Sequence, residues 1–148
     1  MSNLDVIQKL RSKTGVSVMA VKRALDRAQG DAQKAEEFLK EEQMMIASKK
    51  SERETKSGVI QAYIHGGRIG VLVRLKCETD FVAKNKEFQD FAKEIAMQIA
   101  ASSASDIAEL LKEPYMRNPS LLISDYLKEA IGRFGENIEI SAFAKLEL

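Results

Sequence analysis

At Ser57 the spacing of apolar residues changes from three-and-four to two, and this change restricts the possible folds more than any other feature. Val59-Ile60-Gln61-Ala62-Tyr63-Ile64 reads as a strand, His65-Gly66-Gly67-Arg68 as a turn, and Ile69 to Cys77 as the returning strand. The Gly-Gly pair suits a hairpin because glycine accepts the positive φ that tight turns demand. In the returning strand Ile69, Val71, Val73, Leu75 and Cys77 share one face, while Arg74 and Lys76 take the other. The chain ends on a second alternating run, in which Ile138, Ile140, Ala142, Ala144, Leu146 and Leu148 interleave with Glu139, Ser141, Lys145 and Glu147.

Helices fill the space between these strands. One is capped by Asn85 and carries Phe88, Phe91, Ala92, Ile95, Ala96 and Ile99 on a single stripe. A shorter one starts at Ser105 or Asp106 and stops at Pro114. Asn118-Pro119 reads as a cap with proline in the first turn of a third, which buries Ile123, Leu127, Ala130 and Phe134 before Gly135. Two strands, helices and a last strand predict an α+β domain over residues 55–148, a three-stranded antiparallel sheet packed with helices.

Residues 1–54 read as a bundle of three helices. Ser2 or Asn3 caps the first, with Leu4, Ile7 and Leu10 on one side and Thr14-Gly15 at its end. Ser17 caps the second, with Val18, Val21, Leu25 and Ala28 inward. Gly30-Asp31 stops it and caps the third, where Ala35, Phe38, Leu39 and Met45 point inward. The mixed charges of Glu41-Glu42, Lys49-Lys50 and Glu52-Arg53-Glu54 predict a solvated helix leading into a linker.

Charge and cysteine content narrow the function. Lys and Arg number 23 against 22 Asp and Glu, so nothing in the balance favours a nucleic-acid partner. A single cysteine forbids an intramolecular disulfide and suits a reducing compartment. No apolar run approaches the roughly 20 residues that span a bilayer, and the N-terminus lacks a signal-peptide layout. A cytoplasmic protein without a membrane partner is expected.

The lone His65 and Cys77 are the only conceivable nucleophile and base, yet the hairpin separates them, and one His with one Cys cannot hold a metal. No phosphate-binding glycine loop is present. These residues predict a binding module with no catalytic residue, metal or cofactor of its own. Phe81 stands beside Asp80 at a strand-to-helix corner, where it is either an exposed anchor for a partner or a core residue folded back under the helix.

The stretch Cys77-Glu78-Thr79-Asp80-Phe81-Val82-Ala83-Lys84-Asn85 resembles the signature of the elongation factor Ts family. Tyr63-Ile64-His65 through Gly70-Val71-Leu72-Val73, and Gly135-Glu136-Asn137-Ile138, resemble the same family's core domain. Leu10-Arg11-x-x-Thr14-Gly15-x-x-x-Met19-x-x-Lys22-x-Ala24-Leu25, followed by Gly30-Asp31-x-x-Lys34-Ala35, resembles its N-terminal domain, which has the fold of ubiquitin-associated domains.

The resemblance implies an exchange factor, not an enzyme, that binds elongation factor Tu in its GDP-bound and nucleotide-free states. It implies that Phe81 wedges into an apolar pocket of Tu with Asp80 beside it, dislodging magnesium, while Thr79 and Val82 set the shape of the loop. Arg11, Val18, Met19 and Lys22 would add docking area, and His65 would touch Tu's outer domains. A single core copy implies a homodimer. The chain departs from the family pattern at Val18, where a methionine is usual, at Arg74 and Lys76, and at Ser141-Ala142, which replaces a basic pair. An adaptor built on the helical bundle and an enzyme using Cys77 are the rival classes.

Overall fold

The computed structural model describes residues 2–148. Helix α1 (Asn3–Thr14) begins on a reciprocal cap, in which the Ser2 hydroxyl accepts from the Asp5 amide while the Asp5 carboxylate accepts from the Ser2 amide. Ser17 caps α2 (Val18–Arg27) and Asp31 caps α3 (Ala32–Lys50). These helices enclose a small apolar cluster of Leu10, Val21, Ala24, Ala28, Ala35 and Leu39. Leu4 and Met45, expected inward, are both exposed. The stripe of α1 is rotated, so that Val6 and Ile7 pack in place of Leu4. Beyond Leu39, the buried side of α3 is set by another helix.

That neighbour is α7 (Ile123–Phe134), and it corrects the picture of a solvated segment after residue 40. Gln43 and Ala47 are buried there, and Ala47 joins the larger core. Gly132 allows the close crossing: a Cβ on it would stand 2.8 Å from the Cβ of Gln43 and 3.0 Å from its Cα. The Gln43 amide group turns back to donate to the Thr14 carbonyl at 3.0 Å. Gly132→Leu should therefore lower stability by about 2 kcal/mol, the usual scale for overpacking, despite the better helix propensity of leucine. A denaturant midpoint unchanged from the parent protein would contradict this account of the crossing.

The larger core lies under a three-stranded antiparallel sheet in which the first hairpin's return strand is central, with the last strand of the chain on its other side. Strand β1 (Ser57–His65) turns into β2 (Ile69–Cys77) through Gly66 and Gly67, both at positive φ. Helix α5 (Lys86–Ala101) lays Phe88, Phe91, Ala92, Ile95, Ala96 and Ile99 against the inner face, as its sequence stripe predicts. The α+β architecture follows directly from these pieces.

The last strand, β5 (Glu139–Glu147), departs from simple alternation. Ile140 pairs with Leu75 but Ala142 pairs with Arg74, so Ser141 is an extra residue. Such a bulge shifts every later side chain to the opposite face. Phe143 and Lys145 consequently turn to the core side, opposite Val73 and Val71. The Lys145 ammonium is satisfied there by the Ser102 carbonyl at 2.6 Å and by Glu147 at 2.8 Å. Ala142, Ala144 and Leu146, expected inward, face outward. Arg74 and Ser141, two of the departures from the family pattern, meet here: the Arg74 guanidinium donates to the Ser141 hydroxyl at 2.7 Å.

Two further elements complete the unit. Helix α6 (Ile107–Leu111) is capped by Asp106, and a small hairpin follows, β3 (Pro114–Tyr115) with β4 (Asn118–Leu122). Pro119 thus lies in a strand and not in the first turn of a helix. Proline tolerates an edge strand as readily as a helix start. Helix α7 begins later, at Ile123, without a side-chain cap, and the Ile123 amide donates instead to the Glu113 carbonyl at 2.9 Å. No helix among the described residues is long and apolar enough to cross a membrane.

Candidate functional site

Thr79 ends the extended backbone that follows β2, and its hydroxyl accepts from the Val82 amide at 3.3 Å. This starts a single helical turn, α4 (Asp80–Ala83), where the sequence suggests only a loop. One turn of helix sorts neighbouring side chains to opposite sides. Val82 and Ala83 drop into the core, and Phe81 points out, with 85% of its surface exposed. The two alternatives for Phe81 are thereby resolved in favour of exposure. Asp80 next to it accepts from the Ser57 hydroxyl at 2.8 Å, which ties the turn to the start of β1.

Behind the turn lies a set of carboxylates. Glu136 follows Gly135, whose φ of 73° ends α7. Its Oε1 accepts from the amides of Glu78 at 3.1 Å and Thr79 at 3.0 Å, and its Oε2 accepts from the Thr79 hydroxyl at 2.7 Å. Glu78 returns the contact by accepting from the Asn137 amide at 2.7 Å. Asn137 is buried and donates to the Ser51 carbonyl at 3.3 Å and the Arg53 carbonyl at 2.8 Å. Ser57, Glu136 and Asn137 are absent from the site residues read off the sequence. Nothing in local spacing points to Glu136, which stands 57 residues from Thr79; only its place in the Gly135–Ile138 stretch hints at it.

Cys77 lies against the same turn, its Sγ 3.3 Å from the Thr79 carbonyl. Burial pushes the thiol up to about 11, helped by the nearby charges of Glu136 and Asp80. It is protonated near neutral pH and so lacks the thiolate that nucleophilic chemistry requires. The strand register places His65 opposite Ile69 and Cys77 opposite Ser57, the two ends of the hairpin. Eight residue steps separate those ends, about 27 Å at the rise of an antiparallel strand. His65, read from sequence as part of the turn, is the exposed last residue of β1, its Nδ1 3.0 Å from the Tyr63 hydroxyl.

The remaining sequence candidates lie on the helical bundle. Met19 is 61% exposed at the start of α2, Lys22 is exposed one turn further along, and Val18 is half-buried. Arg11, near the end of α1, donates to the Val16 carbonyl at 3.4 Å and lines a surface groove together with Glu87. Glu87 belongs to the first turn of α5, so Arg11 faces the core unit on the side where α4 leads into α5. Val18, Met19 and Lys22 cluster on α2, whereas His65 lies at the opposite end of the hairpin from the Phe81 turn.

Comparison with known proteins gives a consistent result. The family model described as "Elongation factor TS" matches residues 78–148. The elongation factor Ts of Carboxydothermus hydrogenoformans is 37% identical over 190 aligned positions, covering 97% of this chain and 88% of the relative. Those of Caldanaerobacter subterraneus subsp. tengcongensis and Desulfosudis oleivorans are 36% and 34% identical, covering 99% and 97% of this chain and 96% of each relative. The alignments are longer than the 148 residues of this chain, so the relatives carry segments with no counterpart here. With nearly its whole length matched, the chain belongs to the elongation factor Ts family, translation elongation factors of protein biosynthesis.

Proposed function

We propose that this protein is a cytoplasmic guanine-nucleotide exchange factor for elongation factor Tu. It binds the GDP-bound form, dislodges magnesium and releases GDP so that GTP can enter. The observation that carries this reading is Phe81, a large apolar side chain left in water on a turn whose preceding residues, Thr79 and Asp80, are held by side-chain hydrogen bonds to Glu136 and Ser57. Such an anchor has no use in the free protein and gains energy only by entering a partner's pocket.

The physics of exchange sets what the anchor must do. A nucleotide-binding partner of this type holds GDP with backbone amides, a lysine and a magnesium ion. Tight binding alone does not speed release; the factor must prefer the conformation in which those contacts are broken. Phe81 and Asp80 supply that preference, with Thr79 and Val82 shaping the turn. Residues 1–54 form the docking unit, with the ubiquitin-associated type of fold, and offer Arg11, Val18, Met19 and Lys22. Residues 55–148 form the exchange unit, and His65 meets a separate part of the partner. The chain itself performs no catalysis.

Coupling between two ligands of one protein is reciprocal, and this supplies the test. If the chain weakens GDP on Tu, GDP must weaken the chain on Tu by the same factor. The affinity for nucleotide-free Tu should exceed that for Tu saturated with GDP and magnesium by more than tenfold, about 1.4 kcal/mol of coupling. Equal affinities would mean binding without exchange, the behaviour of an adaptor.

The outer face of the sheet supports a homodimer through the core unit. The bulge at Ser141 pairs Ala144 with Leu72, whose other neighbour is Ala62, and Leu146 with Gly70, whose other neighbour is Ile64. Ile60, Ile64, Leu72 and Leu146 are all exposed there, an apolar surface that a second copy of the chain would cover.

A further inference from the structure

We infer that Glu136 is the positioning residue of the Phe81 turn, fixing the angle at which the aromatic ring is presented; this rests on the exchange reading above. The ring is exposed, so its direction depends on the backbone of Thr79 to Val82. That backbone has little help from the sheet. The amides of Glu78 and Thr79 lie past the last paired residues, where Ser57 meets Cys77 and Lys76 meets Glu139. Glu136 takes both amides on one oxygen and the Thr79 hydroxyl on the other.

The hydroxyl contact links the carboxylate to the helical turn. By donating to Glu136 Oε2, the Thr79 hydroxyl is oriented with a lone pair toward the Val82 amide, the bond that caps α4. One carboxylate thus orders the approach to the turn and its first hydrogen bond together. Asp80 is held separately by Ser57, so Ser57 cannot substitute for Glu136 at Thr79. The reciprocal bond from the Asn137 backbone amide to the Glu78 carboxylate ties the segment after α7 to the same residue pair.

Geometry, more than charge, is what Glu136 contributes. A glutamine there offers a carbonyl oxygen to the two amides and an N–H to the Thr79 hydroxyl, which retains a lone pair for Val82. Glutamine should therefore rescue what alanine loses.

The test uses the full chain with Glu136→Ala, Glu136→Gln and Phe81→Ala. Two readouts are taken: hydrogen exchange at individual amides, and release of a fluorescent GDP from a bacterial elongation factor Tu over a range of factor concentrations. In Glu136→Ala the amides of Glu78, Thr79 and Val82 should exchange at least tenfold faster, while those of β2 and α5 keep their protection. Its maximal release rate should fall at least fivefold, with the half-saturating concentration changed less than twofold, because the docking helices are untouched. Glu136→Gln should recover most of both losses. Thr79→Val keeps the backbone bonds and removes the hydroxyl link; it should give an intermediate loss and decides the matter if Glu136→Ala does not fold. A normal release rate in Glu136→Ala beside a crippled Phe81→Ala overturns the assignment, as does a glutamine variant no better than alanine. If Phe81→Ala itself releases GDP normally, the exchange reading has failed instead, and unchanged amide protection in Glu136→Ala would then overturn the positioning role independently.

Discussion

Phe81→Ala is expected to slow GDP release from elongation factor Tu at least tenfold while leaving the protein folded. Aromatic anchors that fill a partner's pocket are commonly worth about 2 kcal/mol or more, and each 1.4 kcal/mol is a factor of ten. The fold has little to lose, because the ring is 85% exposed and the core contacts of α4 come from Val82 and Ala83. Circular dichroism and thermal unfolding should match the parent protein, and stopped-flow release should not. A well-folded variant that exchanges normally would remove Phe81 from the wedge role. Asp80→Ala should show a smaller loss, since it forfeits the bond to Ser57 and leaves the ring in place.

Leu72→Glu is expected to weaken a homodimer at least a hundredfold, about 2.7 kcal/mol. Leu72 is on the central strand, between Ala62 and Ala144, in the middle of the apolar outer face. In a symmetric pair of sheets the substitution would bring two carboxylates of like charge into an apolar contact. In the monomer it costs little, because Leu72 is already 52% exposed. Sedimentation or light scattering at micromolar concentrations reads the difference directly. If the unaltered chain is monomeric even at high micromolar concentration, alone and with Tu, the dimer does not form.

The parts of this fold that could be read from sequence are those in which one period persists. The hairpin from Ser57 to Cys77 and the stripe of α5 each keep a single rhythm over nine residues or more, and both fall where expected. The terminal strand keeps its rhythm in letters but not in space. An inserted Ser141 reverses its faces, and because Ala142, Phe143, Ala144 and Leu146 are all apolar, composition cannot reveal the reversal. Asn118-Pro119 failed for a related reason, since an edge strand and a helix start accept the same pair. At the site, the exposure of Phe81 depends on a helical turn of four residues, too short to show a period. Glu136 contacts Thr79 only because α7 ends at Gly135 beside the end of β2, a tertiary fact with no local mark.

Helix α3 gives Ala35 and Leu39 to one buried cluster and Ala47 to the other. Gly132 lets it lie tight against α7, so one continuous helix joins the bundle that carries Met19 to the core that carries Phe81. Under the proposed function, the two surfaces would act as the jaws of a caliper, not as beads on a string. With one jaw seated on the proposed partner, the other would already be near its span, with little slack to take up. A partner whose own domains swing apart would therefore be gauged by this protein, gripped in the one arrangement that fits and passed over in the rest.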